Sequence, residues 1–419
     1  MQPISYEKYQ LANGLTVLIH HDPLTPMAVV NTLYKVGARN EVSTRTGFAH
    51  LFEHLMFGGS QNAPHFDAAL QEAGGNNNAF TNNDLTNYYD ILPADNLETA
   101  LWLESDRMHF LHINERSLDV QRKVVIEEFK ENYLNQPYGQ LWHQVRQLCY
   151  TQHPYRWPTI GLTPQHVAKA TLSEVQAFYQ QYYTPNNAIL TIAGGVAPDQ
   201  ALPLVERYFG DIPTGPTPLP DWPTEPAQMG ARHASFEDDV PLNMLIMAYP
   251  MADRTDKGYY EADLISDILS SGSSSRLYLK LVKEQQLFNE LQAFISGNLD
   301  PGLFVIRGRL NEGVSYDDAQ AAIQQELQRL QDDLVPRHEL EKVKNKVESG
   351  YEYNTINLMN RAYALSYFEN LGDANGLNTE KEHYLSVSAA ALRDRAIQLF
   401  DARHLNLLEY RAKQPAYAG

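Results

Sequence analysis

Four apolar segments of this chain recur in the same order about half a chain later, and that recurrence limits the fold more than any other feature. The segment TPMAVVNTLYKV from Thr25 resembles VPLNMLIMAYPM from Val240. FAHLFEHLMFGGS from Phe48 aligns with EADLISDILSSGS from Glu261, and LDVQRKVVIEEFKENY from Leu118 with RHELEKVKNKVESGYEY from Arg337. NAILTIAGG from Asn187 matches LNLLEY from Leu405, so the spacings run from 213 to 219 residues. One match could come from apolar patterning alone, but four in order indicate an internal duplication. Between the copies lies DIPTGPTPLPDWPTEPAQ, residues 211–228, with six prolines from Pro213 to Pro226. Proline fixes φ and removes a donor, so this stretch reads as a stiff, extended linker. At 419 residues the chain is too long for one ordinary core. The expected division is residues 1–212, a linker at 213–228, and residues 229–419.

Each copy mixes strand and helix patterns. YQLANGLTVLIHHD carries a hairpin turn at Asn13-Gly14. A long amphipathic stretch runs from Leu97 to His109. The expected class is α+β: two related halves, each an antiparallel sheet covered by helices.

Charge and cysteine usage narrow the function. The net charge of −18 argues against a nucleic-acid binder, which needs a basic surface. It is compatible with attraction of basic peptides, although solubility alone explains it. With Cys149 as the only cysteine, an intrachain disulfide and a cysteine-based zinc site are both excluded. No apolar run approaches the roughly 18 residues that span a bilayer. The start, MQPISYEKYQLANGL, lacks the pattern of a secretion signal. The expected compartment is cytoplasmic, or exported if a signal was removed before this numbering begins.

The segment GFAHLFEHLMFGG, residues 47–59, concentrates the chemistry. Phe48, Leu51, Phe52 and Leu55 mark one apolar face of a helix. Thr46 is the expected N-cap and Gly58-Gly59 the expected stop. His50 and His54, four apart, point the same way with Glu53 beside them, off the apolar stripe. Two imidazoles on one helix face can reach one ion, and a nearby carboxylate can reach a water on it. In this H-x-x-E-H order, the inverse of H-E-x-x-H, Glu53 is placed as a base. A further ligand must come from elsewhere. QRKVVIEEFKENY, residues 121–133, reads as a helix with Val124, Val125 and Phe129 inward, and it offers Glu127, Glu128 and Glu131.

With these motifs the sequence resembles the pitrilysin and insulysin family of zinc peptidases. It is most similar to the short branch that includes mitochondrial processing peptidase and small bacterial homologues. The resemblance spans the His50–His54 motif, the glutamate helix, PNNAILTIAGG at Pro185–Gly195, and the duplicated second half. It implies one Zn²⁺ per chain, held by His50, His54 and Glu128, with Glu127 the neighbour if the register slips by one. It implies Glu53 as the catalytic base. The family has a glutamate seven residues before the ligand, and here that position is Gln121, an amide able to hydrogen-bond around the metal ligands. GGNNNAFTNNDLTNYYD, residues 74–90, matches a stretch that forms an edge strand on which substrate lies, with Asn78, Ala79 and Thr81 in the matching positions. Read alone, that stretch is a polar loop.

The second copy keeps the apolar pattern without the ligands. Asp263, Ser266 and Asp267 stand for His50, Glu53 and His54, and Val347 stands for Glu128. The resemblance therefore implies a catalytic zinc-binding half, residues 1–212, and a non-catalytic half, residues 229–419, together forming half of a clamshell chamber. Many active relatives carry an Arg and a Tyr seven apart in the second half. Here Leu281 and Phe288 occupy those positions, with Arg276 and Tyr278 at the wrong spacing. In two-chain members a zinc-free homologous partner supplies the pair, which implies a heterodimer. The expectation is a zinc-dependent endopeptidase acting on peptides or unfolded segments. The rival is a structural, core-protein-like member of the same fold, because fold alone does not fix function.

Overall fold

Strands form where β-branched and aromatic residues run together between turn residues. The computed structural model describes residues 3–217 and 222–413, and its strands form two sheets. The chain divides into two compact units, and neither is continuous in sequence.

The first unit comprises Met1–Phe129, Trp157–Pro223 and Tyr351–Thr379. Its sheet holds β1 (Glu7–Gln10), β2 (Thr16–His21), β3 (Met27–Tyr34), β4 (Asn76–Thr81), β5 (Thr86–Pro93) and β6 (Ala188–Gly194), in the order β1-β2-β6-β3-β5-β4. All neighbours are antiparallel except β2 and β6. The β1–β2 turn contains Gly14 at φ 90, and the Asn13 side chain bonds the carbonyls of Phe209 and Ile212. Strand β4 lies at the sheet edge.

The second unit comprises Lys130–Arg156, Thr224–Gly350 and Glu380–Gly419. Its strands are β7 (Arg232–Asp238), β8 (Met244–Pro250), β9 (Phe288–Ile295), β10 (Leu303–Leu310) and β11 (Asn406–Ala412). Their order, β7-β11-β8-β10-β9, repeats β2-β6-β3-β5-β4 strand for strand, including the one parallel pair. The duplication read from the sequence is therefore present in the topology, with β1 as an addition to the first sheet.

A sheet has two faces, and both must be covered where both are apolar. In the first unit, helix Leu358–Asn370 packs on β2, β3 and β6. Its Leu365 and Phe368 meet Leu18, Leu33 and Ile189, and its Ala362 meets Val29 and Ala193. Buried polar groups fix its seating. Asn31 donates to Asn87 and to Ser366, both at 3.0 Å, and the Ser366 and Thr191 hydroxyls pair at 2.7 Å. In the second unit, helix Leu141–Cys149 packs on β7, β8 and β11, with Leu141, Val145 and Cys149 against Ile246, Ala248 and Leu408. Each sheet is thus closed by a helix taken from the other copy's stretch of sequence.

The packing does not follow a single division near residues 213–228. Residues 130–156 lie with the second sheet and 351–379 with the first. The reason is that the chain leaves its own unit at Phe129, where helix Glu115–Phe129 ends, and at Gly350, within the last turns of helix Arg337–Asn354, and then supplies the missing face of the other sheet. Of the linker, residues 218–221 lie outside the described residues. The Arg39 guanidinium stacks on Trp222, and the Glu225 carboxylate accepts from the backbone of Thr151, Gln152 and His153. No helix among the described residues is long and apolar enough to cross a membrane.

This exchange predicts that residues 1–212 alone will lack a cooperative urea transition followed by circular dichroism, and that appending residues 351–379 will restore one. In the full chain, Leu365→Ala should cost about 2–5 kcal/mol, measured as a fall in the urea midpoint.

Candidate metal centre

The helix carrying the two histidines spans Phe48–Leu55. Its apolar face, Phe48, Ala49, Leu51, Phe52 and Leu55, is buried, while His50, Glu53 and His54 are half-buried. Phe52 stacks on Phe178 and Tyr183, which sets the rotation of the helix and so the direction of both imidazoles. The helix ends at Met56. The left-handed Gly59 follows (φ 95), where a Cβ would meet the Pro64 carbonyl at 2.6 Å.

The start of the helix differs from the expectation. Gly47, not Thr46, is the N-cap, and it sits in the left-handed region at φ 88. The Thr46 hydroxyl is engaged elsewhere. It accepts from the Leu162 amide at 2.8 Å and pairs with His166 Nδ1 at 2.8 Å. The free N–H groups of the first turn go instead to Glu41. Its carboxylate accepts from Gly47 and Ala49, both at 2.8 Å. Burial pushes that carboxyl up to about 8, against the opposing pull of the backbone donors. Nothing in the apolar periodicity marks Glu41.

The third donor comes from helix Glu115–Phe129, which packs against the histidine helix. Val125 and Phe129 point inward, as the pattern requires. Val124 does not: it is 44% exposed. It sits close in angle to Glu128, one turn ahead of it, so it shares the open side of the helix rather than the packed one.

Three donor atoms converge. His50 Nε2 and His54 Nε2 are 3.3 Å apart. Glu128 Oε2 lies 3.5 Å from His50 Nε2 and 3.4 Å from His54 Nε2. The two rings stand nearly perpendicular, at 83°. Burial lowers the His50 pKa below its ordinary value, which favours the neutral ring. The hydrogen bond from His54 and the two nearby rings lower that of Glu128, which favours the carboxylate. Neutral imidazole and ionised carboxylate are the forms in which these groups bind metals. Among the described residues, His50, His54 and Glu128 form the one group of three or more such donors within reach of a single ion. Glu127 and Glu131 are not in it.

The other expected residues stand near or apart. Glu53 lies on the same helix, between the histidines and on the half-buried side. Asn78, Ala79 and Thr81 lie on the edge strand β4, so the stretch is a strand rather than a polar loop. Their backbone pairs with Tyr89, Tyr88 and Thr86 of β5 on one side only. Gln121 lies two turns before Glu128 on the same helix. His50 Nδ1 is buried without a hydrogen bond, so Gln121 does not reach it.

With this geometry established, the comparisons are decisive for the family. Residues 16–160 match the family described as "Insulinase (Peptidase family M16)", and residues 169–347 match "Peptidase M16 inactive domain". The chain belongs to peptidase family M16. It is 29% identical to the zinc protease PqqE of Helicobacter pylori, over 92% of this chain and 88% of the relative. It is 24% identical to the probable mitochondrial-processing peptidase subunit beta of Schizosaccharomyces pombe, over 72% of this chain and 68% of the relative. The crystal structure of a protease from Helicobacter pylori has a TM-score of 0.92 at 28% identity and covers 98% of this chain and 100% of that one.

Among the described residues of this M16 chain the second unit carries no comparable donor set. Asp267, in the place of His54, pairs with the Lys346 ammonium at 2.7 Å, and the same ammonium donates to Ser271 at 2.6 Å. Asp263, in the place of His50, accepts from the Tyr384 hydroxyl at 2.6 Å. Leu281 and Phe288 are each 1% exposed in the core, and Arg276 is held by Glu339 at 2.7 Å.

The left-handed Gly47 gives a direct test of the helix start. A Cβ there would lie 2.7 Å from the Ile160 carbonyl. Gly47→Ala should destabilise the metal-free protein by about 1–3 kcal/mol, read from urea unfolding.

Proposed function

We propose that this chain is a zinc-dependent endopeptidase that hydrolyses peptides or unfolded segments. The observation that carries the reading is the spacing of its three donor atoms. Ligands bound at about 2.0–2.1 Å in a tetrahedron lie about 3.3–3.4 Å from one another. The three separations here are 3.3, 3.4 and 3.5 Å. Two nitrogens and one carboxylate oxygen with a fourth direction open is also the donor set of a catalytic zinc site rather than a structural one. His50, His54 and Glu128 would hold one ion, with Gln121 outside its immediate surroundings. Zinc in that position would supply Lewis acidity, polarising a scissile carbonyl and bringing the pKa of water to about 7.

The chain's own residues do the rest. Glu53, beside His54 on the half-buried side of the helix, takes the proton of the attacking water and returns it to the leaving amine. The backbone of Asn78, Ala79 and Thr81, at the open edge of β4, bonds an extended peptide as an added strand. Such bonding is indifferent to side chains, so it suits varied substrates. In this reading residues 1–212 are the catalytic half and residues 229–419 a wall of a chamber, as half of a clamshell. The relatives named zinc proteases support the metal and the reaction.

The buried Leu281 and Phe288 cannot grip a substrate, and Arg276 is already paired. This supports a zinc-free homologous partner that supplies an Arg and a Tyr, in a heterodimer; one relative is itself named a subunit. The same absence favours one second reading, a non-catalytic role within the family.

Glu53→Gln should bind zinc as the parent does and lose peptidase activity by about 10²–10⁴-fold, measured with a fluorogenic peptide. A chelator should abolish cleavage and zinc should restore it. Adding the homologous partner chain should raise the rate. A parent protein that binds zinc yet cleaves nothing, with or without partner, would favour the non-catalytic reading.

A further inference from the structure

We infer that Glu41 is a positioning residue that holds the histidine helix at a fixed distance from the edge strand β4. This rests on the reading of His50 and His54 as zinc ligands. The helix has no capping side chain of its own, because Gly47 has none and Thr46 is turned away to Leu162 and His166. Glu41, 7% exposed, binds the first-turn amides of Gly47 and Ala49, and Ala49 directly precedes His50. The backbone that carries the first ligand therefore ends on this carboxyl group.

The other end of the strut is the β4–β5 hairpin. The segment just before Glu41 is fastened to the hairpin's turn. Ala38 and Arg39 donate from their backbone to the carbonyls of Asn82 and Asn83, at 3.1 and 2.8 Å. Arg39 also pairs with Asp84 at 3.3 Å. Gly37 passes so close that a Cβ would lie 2.5 Å from the Asp84 amide. The Trp157 indole donates to the Ala38 carbonyl at 2.9 Å, which fixes the segment from outside. From turn to Glu41 to helix there is no free joint. The helix that bears His50 and His54 already packs on β4 and accepts the Tyr88 hydroxyl at its Phe52 carbonyl, 3.4 Å away; Glu41 adds the link that runs from the β4–β5 turn to the helix's first turn.

The consequence is asymmetric. His50 lies in the turn that Glu41 anchors, while His54 lies one turn later, where Phe52 and Leu55 already fix the helix. Loss of Glu41 should disturb His50 first, and metal affinity before global stability.

The test compares Glu41→Ala, which removes both acceptor oxygens, with Glu41→Gln, which keeps one. Three readouts are taken at pH 7: zinc affinity by chelator competition, amide hydrogen exchange of the metal-free protein over residues 47–52, and kcat and KM for one peptide. Glu41→Ala should remain folded, exchange faster in that segment, bind zinc about 10–100-fold more weakly, and lose kcat more than it raises KM at saturating zinc. Glu41→Gln should recover part of each loss. If Glu41→Ala does not fold, a folded Glu41→Gln with intermediate zinc affinity carries the same conclusion. Parental zinc affinity and exchange in the folded variants would overturn the inference, as would losses that only track global unfolding. A parent protein that binds no zinc would instead overturn the reading of the ligands.

Discussion

Everything in this protein depends on a simple constraint: an apolar sheet has two faces and neither can be left to water. Each copy of the duplicated unit makes a sheet, six-stranded in the first and five-stranded in the second, with long helices on one side, then runs out of chain on the other. The remaining face is covered by exchange. Helix Leu358–Asn370 closes the first sheet over Leu18, Val29 and Ile189, and helix Leu141–Cys149 closes the second over Ile246 and Leu408. The buried Asn31–Ser366–Thr191 contacts add a polar register to an otherwise apolar seat. Burying these groups costs little only because each finds a partner, so the exchanged helix is held in one position rather than allowed to slide.

The donor triad inherits that rigidity. The histidine helix is only two turns long, too short to be stable alone. It persists because Phe48 and Phe52 pack on Phe178, because Gly47 lets the chain pass under Ile160, and because its first amides are bonded to Glu41. Three donors at 3.3–3.5 Å from each other require their supports to be fixed to a fraction of an ångström. In the second unit the same scaffold carries Lys346 between Asp267 and Ser271. A covalently attached cation there balances the carboxylate that a metal would otherwise have to balance.

The sequence revealed what depends on periodicity and spacing. The recurring segments gave the duplicated topology, since apolar strands and helices must face a core in a set order. The i, i+4 histidines gave two donors of the triad, because that spacing stacks side chains on one helix face. The third donor lay among three glutamates, and only the family resemblance singled out Glu128 among them. What stayed hidden depends on tertiary approach. The apolar pattern places Val124 inward, but inward and outward differ by one position near the edge of a stripe, and Val124 is exposed. Thr46 has the right chemistry for a cap and is drawn off by Leu162, 116 residues away. Glu41 does the capping across a loop that no local rule anticipates. The exchange of helices was invisible for the same reason, because nothing in residues 351–379 says which sheet they will meet.

That exchange also sets an order of events during synthesis. The last strand of the first sheet, β6, ends at Gly194, whereas the helix that closes its open face ends at Asn370. At the usual elongation speeds of about 5–20 residues per second, the interval is on the order of 10–40 s. Through that time an apolar sheet face stands uncovered on the nascent chain. Slow codons between the linker and residue 370 would lengthen that interval without altering a single amino acid.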